Sequence, residues 1–205
     1  MNAGEITRYF KSLAKHYGKP CRVILTGASA GALLGRVRGT LDVDFEVELK
    51  KSSPRKTREA WEKFQAACSR ASAETGIAAQ YSEDIDRWSM ISYLDHQKHT
   101  PLFRKFGPLK VRVLEPEYWA IGKLTRYLDQ DVRDLVHVFK RRKVSGHGLA
   151  KLLGIALKQS PKSTACYLFR RQVEDFLKTY GREIWGKRYL FEETVRIFHQ
   201  AAGIR

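Results

Sequence analysis

The chain has 205 residues, of which 43% are hydrophobic, and a formal net charge of +16. That length suits one domain with an appendage or two small domains, and the hydrophobic share is enough for a buried core. No apolar run approaches the roughly 20 residues that span a bilayer, and the polar, amphipathic start does not read as a signal peptide. We therefore expect a cytoplasmic protein with no membrane partner.

The positive charge is concentrated in the second half of the chain. Residues 101–205 carry 22 Lys and Arg but only 10 Asp and Glu. Cationic side chains that neutralise phosphates release condensed counterions, which favours binding to polyanions. The charge predicts nucleic acid or a nucleotide-bearing substrate as a partner.

Hydrophobic spacing and breaker residues divide the chain into predicted elements. In chain order these are a helix over 4–17, a strand over 21–26, a short helix over 30–34, a strand over 40–49, a helix after Pro54 that Gly76 ends, and strands over 77–81, 88–94 and 109–114. Pro116, with Glu117 beside it, begins a helical segment, and only helices follow from residue 145. We predict an α/β (α+β) fold, with a mixed sheet and flanking helices over residues 1–143 and a helical C-terminal domain over residues 144–205.

The second predicted strand carries a row of acids. Alternate side chains of a strand face opposite sides, so Asp42, Asp44, Glu46 and Glu48 share one face and apolar residues form the other. Two carboxylates at positions i and i+2 can share magnesium ions about 3.5–4 Å apart. Asp42 and Asp44 are therefore candidate metal ligands and catalytic residues, although alternating acids also occur on the water-facing side of an antiparallel sheet.

A turn of small residues, Gly27 to Gly31, precedes this strand. Backbone N–H groups in such a turn can approach a triphosphate, and the positive end of the helix that follows favours the anion. Gly27 and Ser29 are the candidate phosphate contacts. The same turn is similar to that of short-chain dehydrogenases, but Leu33 stands where their third glycine is needed, which disfavours an oxidoreductase.

Together, the turn and the acidic strand resemble the nucleotidyltransferase superfamily, which includes DNA polymerase beta, poly(A) polymerases and the AbiEii and MNT toxin-type enzymes. The residues that carry the resemblance are Gly27, Ala28, Ser29, Arg38, Thr40, Asp42 and Asp44. It implies a polymerase-beta-like fold, Mg²⁺ or Mn²⁺ held by the two aspartates, and an NTP substrate bound by Gly27, Ser29, Arg38 and Thr40. The family usually has Gly-Gly or Gly-Ser in the turn, so Ala28 is a departure.

A second segment, residues 115–142, resembles the lysine-bearing helix and following acid pair of AbiEii-like enzymes. The matching positions are Lys123, Arg126, Asp131 and Asp134. The resemblance implies that Lys123 contacts nucleotide phosphates. Plain solvation of Lys123, and pairing of the two acids with Arg126 and Arg133, are open alternatives.

The superfamily commonly adds a third carboxylate on a later strand as the base for the attacking hydroxyl. Spacing alone does not choose among the candidates, which are Asp84, Asp86, Asp95, Glu46 and Glu48. A chain without this acid is expected to bind rather than catalyse.

These features predict a magnesium-dependent nucleotidyltransferase that moves a nucleoside monophosphate from an NTP to a hydroxyl. The basic second half favours RNA, above all tRNA, as the acceptor. The resemblance implies a toxin–antitoxin or phage-defence setting with an antitoxin protein as partner. Two alternatives are open: a catalytically inactive nucleotidyltransferase-fold protein that binds nucleic acid or a partner, and a small-molecule (antibiotic) nucleotidyltransferase.

Overall fold

The computed structural model describes residues 1–35, 39–49 and 53–204, apart from the side chain of Trp88. Over these residues it has eight α-helices and one five-stranded mixed sheet. This confirms the predicted α/β class and the helical C-terminal part. Among the described helices, none combines the length and apolar character that crossing a lipid bilayer requires.

The sheet contains both parallel and antiparallel neighbours. Its strands are β1 (Cys21–Leu25), β2 (Asp42–Leu49), β3 (Ala78–Ser82), β4 (Leu102–Phe106) and β5 (Leu109–Val113), in the spatial order β3-β2-β1-β5-β4. β1 runs antiparallel to β2 and parallel to β5, while β2 is parallel to β3 and β4 is antiparallel to β5. The acidic strand β2 is thus an inner strand, held on both sides.

The helices are divided between the two parts of the chain. They are α1 (Ala3–Tyr17), α2 (Gly27–Leu34), α3 (Pro54–Thr75), α4 (Pro116–Arg126), α5 (Asp129–Arg142), α6 (Gly146–Gln159), α7 (Thr164–Trp185) and α8 (Phe191–Ala202). Asn2 and Glu5 form a capping box that begins α1, and Gly18 and Gly76 end α1 and α3 in the left-handed conformation.

The described chain forms two compact units. One consists of residues 1–33, 39–49, 53–84 and 97–114 and holds the sheet with α1, α3 and nearly all of α2; the other consists of residues 34–35, 85–96 and 115–204 and holds α4 to α8. Helices α4 and α5, which lie before the predicted boundary at residue 144, belong to this helical unit. Within this unit, α4 packs against α6 and α7, and α5 packs against α7.

One face of the sheet forms the core of the first unit. Val43, Phe45 and Val47 of β2 are each at most 2% exposed. The ring of Phe45 lies 5.3 Å from the ring of Phe10 on α1, edge to face, and 5.3 Å from the ring of Tyr81 on β3, stacked. This packing fixes which face of β2 is buried, and it turns the row of acids to the opposite face.

The structure differs from the predicted elements in three places. Residues 88–94 form no strand but irregular backbone that follows a short 3-10 helix, because Ser89 and Ser92 hydrogen-bond to the backbone within the segment and replace a strand ladder. β4 is a strand that the sequence pattern did not predict. The helical segment after Pro116 breaks at Tyr127, whose φ of 53° is left-handed, so it is two helices.

Candidate functional site

The small-residue turn and the acid pair meet at one end of the β1–β2 pair. The backbone N–H of Thr26, after β1, donates to the carbonyl of Asp44 at 3.0 Å. α2 begins at the next residue, and the N–H of Ala28 in its first turn donates to Oδ2 of Asp44 at 2.8 Å. The two motifs that the sequence predicts as parts of one site are therefore in direct contact.

Gly27 lies closer to Asp44 than any other residue type could. Its φ is +45°, and a Cβ at this position would lie 2.5 Å from Oδ2 and 2.9 Å from Cγ of Asp44. Both the backbone conformation and the lack of space require glycine here. The departure from the family motif falls at Ala28, where the backbone N–H makes the contact.

We expect Gly27→Ala to destabilise the protein more than Gly76→Ala does. Both glycines have a left-handed φ, but a Cβ on Gly76 would meet no atom within 4 Å. Both substitutions should cost about 1–2 kcal/mol for the left-handed backbone, and only Gly27→Ala adds a collision of about 1–3 kcal/mol. Urea unfolding of the two variants measures the difference, and equal losses of unfolding free energy would contradict the close approach to Asp44.

Ser29 holds α2 against β2 through its hydroxyl. The side chain is fully buried, its Oγ accepts a hydrogen bond from the N–H of Asp44 at 2.8 Å, and it lies 3.4 Å from the carbonyl oxygen of Asp42. The hydroxyl is therefore engaged with the backbone of the acidic strand. In this arrangement Ser29 fixes α2 to β2, and its predicted contact with a phosphate stays a prediction.

Asp42 is fixed by two neutral donors. Thr40 Oγ1 donates to its Oδ1 at 2.6 Å, and Gln80 Nε2 donates to its Oδ2 at 2.7 Å. Thr40 thus orients a carboxylate in this structure. Gln80 lies on β3 in register with Asp44, and sequence patterns do not identify it because its place beside the acids depends on the pairing of β2 with β3.

The two aspartates fit the donor set that magnesium takes. Both are half-buried on the same face of β2, and carboxylate oxygens are the hard donors that magnesium prefers. Within residues 1–35, 39–49 and 53–204, no three His, Cys, Asp or Glu side chains form a group that could hold a metal ion. Magnesium commonly binds through one or two carboxylates, with water and substrate phosphates completing its coordination, so Asp42 and Asp44 would hold it.

The candidates for a third carboxylate lie in different surroundings. Glu46 is fully buried and accepts a hydrogen bond from Gln97 at 2.9 Å, and Glu48 forms an ion pair with Arg22. Asp84 follows β3 in the same unit, whereas Asp86 and Asp95 belong to the helical unit. The described β3 strand itself carries no acid, since Gln80 and Ser82 occupy the positions in register with Asp44 and Glu46.

The second predicted signature forms a buried ion cluster that joins α4 to α5. The Lys123 side chain is 2% exposed, and its Nζ lies 2.6 Å from Oδ1 of Asp131 and 2.9 Å from Oδ2 of Asp134. Arg126 also donates to Asp131, at 2.9 Å. Burial opposes ionisation of Asp131, but the hydrogen bonds from Lys123 and Arg126 outweigh it and lower the pKa of that carboxyl group. The Lys123 ammonium is thus engaged with carboxylates and not presented to a phosphate in this structure.

Five of the seven predicted site residues come together in the first unit: Gly27, Ser29, Thr40, Asp42 and Asp44. Lys123 belongs to the helical unit, and Arg38 lies outside the described residues. No protein-family model, curated protein or solved structure matches this chain, so the case for its function stands on the geometry of its own residues.

Proposed function

We propose that the chain is a magnesium-dependent nucleotidyltransferase that moves a nucleoside monophosphate from an NTP to a hydroxyl of an RNA acceptor. The observation that carries the proposal is the 2.8 Å hydrogen bond from the Ala28 N–H to Oδ2 of Asp44. It sets the first turn of α2 directly beside the carboxylates of β2. An anion-favouring helix end and a cation-favouring acid pair thus share one site.

Each part of the site has a separate role in this proposal. Asp42 and Asp44 would hold Mg²⁺, which when bound stabilises charge on the transferring phosphate and lowers the pKa of an attacking hydroxyl. The backbone N–H groups of the turn at Gly27 would bind the phosphates of an NTP. Thr40 and Gln80 keep the Asp42 carboxylate in one orientation, which is the preorganisation that in-line transfer requires.

The acceptor is inferred from charge and not from the site. A net charge of +16 favours a polyanionic acceptor such as tRNA over a small antibiotic or a protein hydroxyl. A cytoplasmic setting in toxin–antitoxin or phage defence, with an antitoxin protein as partner, belongs to the same proposal and is supported only by the resemblance of the two motifs.

A second candidate function is binding without catalysis. It is favoured by the neutral residues Gln80 and Ser82 on β3, beside the acids of β2, and by the complete burial of Glu46. A site with two carboxylates and no placed base could bind Mg²⁺ and nucleotide without activating an acceptor.

A transfer assay separates these functions. Purified protein is mixed with Mg²⁺, each of the four NTPs in turn, labelled at the α-phosphate, and either total tRNA or an aminoglycoside as the acceptor. We expect label on the RNA, release of pyrophosphate, and loss of both when EDTA removes the metal. Protein that binds tRNA but transfers no label from any NTP would support the inactive binder, and label on an aminoglycoside but not on RNA would support the small-molecule enzyme.

A further inference from the structure

The face of the sheet that bears the acids also bears a row of cations. Strand register aligns Glu48 on β2, Arg22 on β1, Lys110 on β5 and Lys105 on β4 in one line across the sheet. Residues that pair directly across strands point to the same side. Because Glu48 shares its side of β2 with Asp42 and Asp44, the cationic row and the candidate site lie on one face of the first unit.

Lys105 and Lys110 are the unneutralised part of this row. Arg22 is paired with Glu48, but within the described part of the chain neither lysine ammonium forms an ion pair. Both residues are exposed. The surrounding segment, residues 96–114, contains five Lys and Arg and no Asp or Glu, so no acid nearby in sequence offsets them.

Two like charges directly opposite each other lower the stability of an antiparallel pair. Lysines on an edge strand do discourage unwanted strand pairing, and that explains Lys105 on the edge strand β4. It does not explain Lys110, because β5 lies between β1 and β4. An anion that bridges the two ammonium groups would turn this repulsion into attraction.

We propose that Lys105 and Lys110 bind the phosphate backbone of an RNA strand that crosses this face of the sheet. By strand spacing and rise, Lys110 lies about 16 Å from Asp44, two strands across and four residues along. A strand held at the lysines can therefore extend toward Asp42 and Asp44. The placement of its terminal hydroxyl at these acids rests on the proposed function, whereas binding at the lysines does not.

The test measures RNA binding in the absence of NTP and divalent metal. A fluorescent single-stranded RNA is titrated with the full-length protein over a range of salt concentrations. The Lys105→Gln/Lys110→Gln double variant should lower the salt dependence of log K by about 1.4, since each phosphate contact on a single strand contributes about 0.7. If the wild type and the double variant bind equally at 1 M salt, the double variant should bind about 25-fold more weakly than the wild type at 0.1 M salt.

A matched control removes the same net charge elsewhere in the same unit. Lys56 and Lys63 are exposed on α3, and Lys56→Gln/Lys63→Gln should leave the salt dependence unchanged. Equal losses of salt dependence in the two double variants would overturn the proposal. The proposal would also be overturned if polyglutamate competed for binding as strongly as RNA of equal charge. The Tm of Lys105→Gln/Lys110→Gln should equal or exceed that of the wild type, because a repulsive pair is removed; a lower Tm together with weaker binding would mean that the lysines are structural.

Failure of this proposal and failure of the proposed function are distinguishable. Asp42→Asn should bind RNA at least as tightly as the wild type while transferring no label. RNA binding that depends on the lysines but is never accompanied by transfer would contradict the proposed enzyme activity and support the proposed RNA-binding surface. Transfer that is unaffected by Lys105→Gln/Lys110→Gln at limiting RNA would contradict the proposed RNA-binding surface and support the proposed enzyme activity.

Discussion

Asp44→Asn should reduce nucleotide transfer at least about a thousandfold, which corresponds to about 4 kcal/mol of activation free energy. Asparagine has nearly the same shape as aspartate and can still accept the hydrogen bond from the Ala28 N–H. It lacks the negative charge that the proposed site needs in order to hold a divalent cation. The variant should therefore fold as the wild type does and fail in transfer.

The matched control for this prediction is Glu83→Gln. Glu83 is exposed just after β3, so the substitution removes one acid from the same unit outside the site. Transfer rates are measured for both variants at saturating NTP and RNA, and urea unfolding verifies that both are folded. An Asp44→Asn variant that is active within tenfold of the wild type would exclude Asp44 from the chemistry.

Lys123→Met should lower the free energy of unfolding by about 3–5 kcal/mol. Methionine fills a similar volume, but it leaves Asp131 and Asp134 buried without the cation that lies between them. The uncompensated buried charge, rather than lost packing, causes the destabilisation. Urea unfolding near neutral pH measures the effect.

Arg126→Met provides the comparison within the same ion cluster. The Arg126 side chain is 55% exposed, so water already screens its attraction to Asp131 and its loss should cost about 1 kcal/mol or less. If Lys123 instead serves mainly to bind nucleotide phosphates, Lys123→Met should be nearly as stable as the wild type and should weaken NTP binding. A small stability loss would thus contradict the structural role of Lys123.

Local sequence patterns predict the elements whose signals lie within a few neighbouring residues. The alternation of β2, the capping residues of α1 and the glycine ends of α1 and α3 are each visible in a few neighbouring residues. β4 escapes such a pattern because its middle residues, Arg104 and Lys105, are adjacent cations, and its pairing with β5 has a bulge between Leu102 and Arg104. Tyr127 gives no break signal because a left-handed φ is uncommon for residues other than glycine.

The candidate site was predictable in its acids and its turn, but not in the partners that fix them. The contact between Gly27 and Asp44 follows from strand pairing once β1 and β2 are known to be antiparallel neighbours. Gln80 joins the site only through the parallel pairing of β2 with β3, which no local pattern specifies. The sequence pattern places Lys123 on a polar helix face, whereas the break at Tyr127 allows α5 to return its acids to that lysine and enclose it.

The way in which the chain passes between its two compact units affects how deletion experiments can be designed. Residues 85–96 interrupt the sheet-bearing unit and belong with helices that come later in sequence. A fragment that stops at residue 114 would keep this insertion without the helices it packs with, and one that stops at residue 84 would lack β4 and β5. No single truncation isolates either unit intact, so point substitutions are the sound way to test the proposed catalytic residues and the proposed RNA-binding lysines independently.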